Sequence, residues 1–351
     1  MPIKKSSAGS HTPREVARLV DVARDAGVSV STAGRVLRKS HLPVAPAVAQ
    51  KVRDVAKRLG YVPNLLARNL RGSRPRTIGL VVGDMLDPYY GTVAEAVTER
   101  AESEHGLLAV VCNIQRDPSL ELKYCQQLWE HRVAGLILAG GGFDQHLCAR
   151  KLAVLTHGMQ ASGLIVCTLG PRLIRAPMFC VDNEAAGRMA AAQLLAAGHR
   201  RIGVVNGNAR SETGRLRLAG SLAGLREAGI APHLCEVDYR TEAVAAALHA
   251  MLAAEPQITG ILATSDFMST VTLEWLQAHG IAVPQAMSVV GIRGTDTAVA
   301  GRRLTSVDVQ IATCSRAALD YIAARSEGQA VAPPALFAAT LRTGETLAPL
   351  R

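Results

Sequence analysis

The sequence predicts a small all-α headpiece joined to a larger α/β body with two doubly wound parallel sheets. Three observations carry this prediction. Residues 19–59 hold short helical stretches whose apolar positions recur every three or four residues. From Thr77 onward, apolar runs of six or seven residues alternate with longer helical stretches, the signature of strands covered on both faces by helices. The charge is also split: residues 1–76 carry 16 Lys/Arg against 4 Asp/Glu, whereas the rest carries 23 against 25, so a +12 segment precedes a −2 body. A chain of 351 residues is long enough for both parts, and its 48% hydrophobic content supplies their cores.

Residues 1–17 read as a disordered basic lead-in. In the stretch LVDVARDAGVSVSTAGRVL (19–37), Val22, Ala23 and Ala26 mark one helical face, and Gly27 permits a tight turn. Ser29 can cap a second helix running to about Arg38. Small residues at Ala23 and Gly27 let the two helices cross closely, as in a helix-turn-helix. A third helix, PAVAQKVRDVAKRLGY, brings Val48, Val52, Val55, Ala56 and Leu59 to the same cluster. With the charge excess, 18–62 reads as a DNA-binding domain. Val30, Ser31, Thr32 and Arg35 are its candidate DNA contacts. Arginine can bridge guanine O6 and N7, serine can bond several base edges, and valine can touch a thymine methyl. Each can instead meet phosphate or nothing.

Residues 63–76, PNLLARNLRGSRPR, join the two parts. Pro63 and Asn64 can open a turn, and Leu66 and Leu70 fall on one face of a helix too short to be stable alone. The leucines either pack on the core or serve a partner.

Seven strands are expected in the body: 77–83, 107–113, 134–140, 164–169, 201–207, 258–264 and 287–292. They form two runs that divide near 178–182. In such sheets ligands bind beyond the strand C-termini. DMLDPYY therefore nominates Asp84, Tyr89 and Tyr90, with a tyrosine pair as a stacking wall, or with Tyr90 as core. Tyr239 in CEVDYR and Asp266 in TSDFM fall at further cleft positions, and Asp182 and Asn183 mark the crossover.

Several function classes lack support. AGGG (139–142) matches neither GxxxxGK[ST] nor GxGxxG, and no HExxH, GxSxG or paired-carboxylate motif occurs, so no catalytic residue or cofactor is nominated. The seven cysteines are scattered without a CxxC, which speaks for reduced thiols and against a zinc site. No run of 18 apolar residues is present and residues 1–18 lack a secretory apolar core, so the expected location is the cytoplasm, at the nucleoid.

DVARDAGVSVSTAGRVL, RLGYVPN, LLARNLR, TIGLVVGDMLDPYY, RVAGLILAGG, VDNEAAG, AAGHRRIGVV, RLRLAG, LATSD and SVVGI together resemble the lactose-repressor/purine-repressor (LacI/GalR) family of bacterial transcription regulators, over residues 19 to about 345. The resemblance implies a body of periplasmic-binding-protein type. Its N-terminal subdomain would comprise 77–181 and 306–328, its C-terminal subdomain 182–305 and 329–351. Residues 64–71 would be a hinge helix lying in the minor groove, with Asn64, Ala67, Arg68 and Leu70 at the DNA and Leu70 levered between base steps. Arg217 would be the effector clamp, a surface ion pair being the alternative. The expected partners are a pseudo-palindromic operator duplex, a second copy of the chain, and a sugar or sugar-acid effector. A membrane is not among them. A soluble periplasmic-type sugar-binding protein and an effector-free DNA bender are the rival readings; the basic headpiece speaks against the first.

Three departures from the family pattern matter. Gly34 stands where the family usually has Ser or Thr, and Arg38-Lys39 where it often has Asn-Gly. In GIRGTDTA, Arg293 replaces the Asp that commonly binds sugar hydroxyls, and the GxxGxxxA spacing is similar to that of the family's gluconate-type regulators. A cation there either favours an anionic effector or points to solvent.

Overall fold

The computed structural model describes residues 17–37, 44–62, 75–142, 146–207, 211–333 and 336–350. It comprises two compact units, 1–73 and 74–351. The basic lead-in up to residue 16, Arg38, Lys39 and the hinge residues Asn64, Ala67, Arg68 and Leu70 lie outside the described residues.

In the first unit, α1 (Leu19–Ala26), α2 (Val30–Leu37) and α3 (Pro46–Leu59) enclose Val22, Ala23, Ala26, Ala33, Val52, Val55 and Ala56. Gly27 ends α1 in the left-handed region at φ 69°, and its N–H reaches back to the Ala23 and Arg24 carbonyls. The Ser29 hydroxyl accepts the Thr32 N–H at 3.1 Å and so caps α2. Pro46 opens α3, where its missing N–H costs nothing, and Gly60 closes it. Of the expected apolar row, Val52, Val55 and Ala56 are buried, whereas Val48 and Leu59 are half-buried.

The second unit holds two lobes. The first has a four-stranded, all-parallel sheet in the order β2-β1-β3-β4, with β1 Thr77–Val82, β2 Leu108–Asn113, β3 Gly135–Leu138 and β4 Ile165–Thr168. Its helices are α4 (Pro88–Ser103), α5 (Pro118–Glu130) and α6 (His146–Ala161). The second lobe has a six-stranded sheet in the order β10-β9-β8-β7-β5-β6. Its strands are β5 Ile202–Gly207, β6 His233–Val237, β7 Gly260–Ala263, β8 Ser288–Arg293, β9 Thr305–Asp308 and β10 Thr340–Arg342. Its helices are α7 (Asn183–Ala196), α8 (Glu212–Glu227), α9 (Thr241–Ala254) and α10 (Asp266–Ala278). From β9 the chain enters α11 (Ile311–Ser326), which packs on α4, β3 and β4 of the first lobe, and then returns as β10.

All seven expected strands form. Three others escaped the reading. β6 is an edge strand with three of its five residues exposed. β9, sequence TSVD, is wholly buried but polar, and its groups are met internally: Arg342 Nη2 bonds Asp308 Oδ2 at 2.6 Å, and the Thr346 hydroxyl takes the Thr305 N–H at 3.0 Å. β10 is only three residues long and pairs antiparallel to β9, a departure from the all-parallel expectation.

In each lobe the first strand has the second on one side and the third on the other. The crevice opened by that reversal is where an α/β sheet receives a ligand. The two crevices face each other. The Glu212 N–H donates to the Gly142 carbonyl at 3.2 Å, a direct bond between the lobes.

Candidate functional site: the interlobe cleft and the second headpiece helix

The cleft is lined by residues that follow the strands. After β1, Asp87 caps α4 by accepting the Tyr89 N–H at 3.1 Å. Burial, with the Asp266 carboxylate nearby, pushes its carboxyl up to about 6, and Arg116 offsets only part of that rise. Tyr89 and Tyr90 meet edge to face with centroids 5.0 Å apart. Tyr90 is core as much as wall: it is 8% exposed, and its hydroxyl end rests on Gly83 and Gly140 at the tips of β1 and β3, where a Cβ on Gly140 would lie 2.6 Å from the oxygen. Tyr89 is half-buried and reaches toward the second lobe, its ring against Gly294 just beyond β8. Burial raises the pKa of both tyrosines, and of Tyr239, so each phenol keeps its proton and can donate a hydrogen bond.

Arg116, two residues past the neighbour of β2, was missed by the sequence reading. Its guanidinium lies 3.8 Å over the ring of Tyr239, across the cleft. On its own lobe, Nη2 bonds Asp87 Oδ2 at 2.8 Å and Nε lies 3.9 Å from Asp84 Oδ2. Among the described residues the buried Nε has no hydrogen-bond partner. The rule that ligands sit beyond strand C-termini would have found Arg116 had it been applied to β2 as well as to β1. After β4, Arg172 closes the first lobe: it bonds Glu121 at 2.6 Å and the carbonyls of Ala139 and Gly140, a saturated internal pair.

In the second lobe, Arg217 projects from α8 and is 5% exposed. Nε donates to Asn183 Oδ1 at 2.9 Å and Nη1 to the Thr264 carbonyl at 3.0 Å. Asn183 thus positions the guanidinium, while Asp182 caps α7 through the Ala185 N–H. Among the described residues no carboxylate lies within ion-pair distance of Arg217, and Nη2 makes no hydrogen bond. Its charge bears on Tyr89 and on Tyr239. It is therefore no surface ion pair. The Thr213 hydroxyl, facing Gly141 of the other lobe, is also buried and has no partner among the described residues.

Asp266 and Arg293, both nominated as effector contacts, are brought together and consume each other. Arg293 is 2% exposed, so it does not point to solvent. Its Nε meets Asp266 Oδ1 at 3.2 Å, and the other guanidinium nitrogens go to Thr295 and Thr297. Asp266 also accepts the Gly294 N–H at 2.8 Å, the Thr295 N–H at 3.1 Å and the Thr295 hydroxyl. The pair is closed, which leaves Arg293 no free edge for an anion.

On α2, Val30 and Ser31 are exposed and Thr32 and Arg35 are half-buried. Ser29, Ser31 and Thr32 link their hydroxyls at 2.8 and 2.9 Å, and Arg35 Nη2 touches Thr32 at 3.4 Å. Ala33 and Gly34 are buried on this helix.

The profile "Bacterial regulatory proteins, lacI family" matches residues 18–64, and "Periplasmic binding proteins and sugar binding domain of LacI family" matches residues 75–332. The chain belongs to the LacI family. It is 32% identical to the HTH-type transcriptional regulator GalS of Salmonella typhimurium, over 86% of this chain and 87% of that one. It is 28% identical to the HTH-type transcriptional repressor PurR of Photobacterium profundum, over 81% and 84%. In fold it matches the lac repressor dimer bound to operator and the anti-inducer ONPF, with TM-score 0.80, 24% identity and coverage of 95% and 100%. It also matches the regulator CelR in complex with cellobiose, with TM-score 0.64, 27% identity and coverage of 94% and 99%. The protein is thus a LacI-family transcription regulator with a helix-turn-helix DNA-binding domain and a two-lobed effector domain, not an enzyme. Among the described residues no helix is long and apolar enough to cross a membrane.

Proposed function

We propose that this LacI-family regulator is a homodimeric repressor, at work in the cytoplasm on the nucleoid, whose grip on a pseudo-palindromic operator is set by a carboxylate-bearing sugar derivative in the cleft. The observation that carries the effector class is Arg217, a buried guanidinium held by two neutral acceptors and, among the described residues, no counter-ion. A buried unpaired charge is costly, and a ligand carboxylate would relieve that cost bidentately. Asp84, Tyr89, Tyr90 and Tyr239 supply the polar and aromatic walls. Asp266 and Arg293 set the shape of the wall between them. On DNA, Val30, Ser31, Thr32 and Arg35 would read the major groove, and Asn64, Ala67, Arg68 and Leu70 the minor groove at the operator centre.

Isothermal calorimetry on the full-length protein, with aldonates against the matching neutral aldoses, tests the effector class. An aldonate should bind and its aldose should not. Arg217→Met should weaken the acid by about 2–5 kcal/mol, roughly 30-fold or more in Kd. Neutral sugars binding more tightly than their acids would reject the reading.

A further inference from the structure

The charges around the cleft are unevenly shared between its two walls. Four arginines there have acidic partners: Arg116 with Asp87, Arg172 with Glu121, Arg293 with Asp266 and Arg342 with Asp308. Among the described residues, the wall of the second lobe alone keeps a cation without an acidic partner, Arg217. The wall of the first lobe has the opposite imbalance. Asp84 and Asp87 both converge on Arg116, at 3.9 and 2.8 Å, so two carboxylates face one guanidinium. Tyr239 lies between the two ends, with Arg116 stacked on its ring and Arg217 acting on its phenol. The end near Arg116 still has an unmet need, since among the described residues the buried Nε is a donor without an acceptor.

We infer that the cleft is dipolar and selects monoanionic polyhydroxy acids over dianions: the carboxylate lies on Arg217, and the far, uncharged hydroxyl end lies against Asp84, Asp87 and the Nε of Arg116. A hydroxyl fits that end because it can accept from Nε and donate to a carboxylate. A second carboxylate or a phosphate ester there meets two like charges, only one of which Arg116 offsets. The class that fits is therefore the aldonate, and the classes rejected are the aldarate and the phosphorylated sugar acid. This inference rests on the sugar-acid reading above and narrows it.

The test uses the full-length protein and titrates matched sets of aldose, aldonate, aldarate and aldonate phosphate in several sugar configurations. The aldonate of the binding configuration should be roughly tenfold or more tighter than its aldarate and its phosphate. Asp84→Asn should narrow that gap, because it removes one charge while Oδ1 remains to hold the Leu86 N–H. Arg116→Gln should widen it, because Asp84 and Asp87 then stand unopposed. An aldarate or phosphate that equals the aldonate, or a gap that neither variant moves, overturns the dipolar assignment and leaves the anion reading intact. A panel in which only neutral sugars bind, or in which no acid binds, counts against the anion reading itself and takes this inference with it.

Discussion

The pair Arg293–Asp266 makes a sharp prediction because its two members are unequally served. Asp266 accepts four bonds: from Arg293 Nε at 3.2 Å, Gly294 N at 2.8 Å, Thr295 N at 3.1 Å and the Thr295 hydroxyl. Asp266→Ala therefore strands a guanidinium that is 2% exposed together with two backbone N–H groups. Breaking one side of a buried pair costs about 3–5 kcal/mol, and each stranded donor roughly 1–3 more where water cannot reach it. We expect about 5 kcal/mol. Arg293→Met leaves Asp266 with its other three donors, so the carboxylate stays held and the loss should be nearer about 2–3 kcal/mol. The double variant has no orphan ion and should fall short of the sum of the singles by about 2 kcal/mol. Urea unfolding followed through Trp275 on α10, in a Trp129→Phe background, reads the second lobe directly. Costs that simply add, or Arg293→Met costing as much as Asp266→Ala, would refute this account of the pair. Calorimetry on Arg293→Met adds a functional arm: acid binding should weaken, because Asp266 loses its counter-ion, yet survive on Arg217, and its complete disappearance would make Arg293, rather than Arg217, the anchor.

Three other predictions follow from different parts of the molecule. Helices α7 and α8 touch backbone to backbone at Gly187 and Gly220, where a Cβ on Gly187 would lie 2.7 Å from the Ser221 nitrogen, and one on Gly220 would collide with the Glu184 carbonyl; Gly220→Ala should cost about 1–3 kcal/mol in thermal unfolding and weaken effector binding by displacing Arg217 on the same helix. Asp87, with its carboxyl raised from 3.8 to about 6, binds its proton sooner in the folded than in the unfolded chain, so the stability it contributes is complete below about pH 4 and lost as pH rises through about 6; the span is at most about 3 kcal/mol, and Asp87→Asn should flatten that part of a pH–stability curve. Leu70→Ala should weaken binding to a specific operator far more than to random duplex in salt-matched titrations, and equal losses on both would reject the wedge role.

Much of this was readable in the chain because its signals are local. β1, β3, β5, β7 and β8 are mostly apolar runs buried almost throughout, so composition largely gives them away. The headpiece was legible for the same reason, with Gly27 and Ser29 marking a helix end and a helix start two residues apart. What stayed hidden depends on distant partners. β9 is polar in sequence and buried only because Arg342 and Thr346 arrive from 34 and 41 residues downstream. Arg116 looks like any loop arginine until Tyr239 is brought beneath it. The Asp266–Arg293 pairing spans 27 residues and two strand ends, and no spacing rule announces it.

That pairing also changes why an anion should suit this cleft. Taken alone, an arginine in place of the family's aspartate suggests that the new cation itself binds the effector. Its guanidinium is spent on Asp266, Thr295 and Thr297, so it adds no free positive edge. Its effect is subtraction. With an aspartate at 293, that carboxylate and the one at Asp266 would both stand in the second lobe's wall, close enough to repel each other and to oppose a ligand anion. With arginine there, Asp266 is neutralised and the other acid never enters, so among the described residues no free carboxylate of the second lobe's own wall opposes Arg217. Arg293→Asp should then drive Asp266 and the new carboxyl to share a proton, and acid binding should weaken at neutral pH and recover as the pH is lowered and the pair is protonated. Acid binding that is indifferent to pH in this variant would show that the wall's acids do not govern the anion, and the subtraction argument would fail.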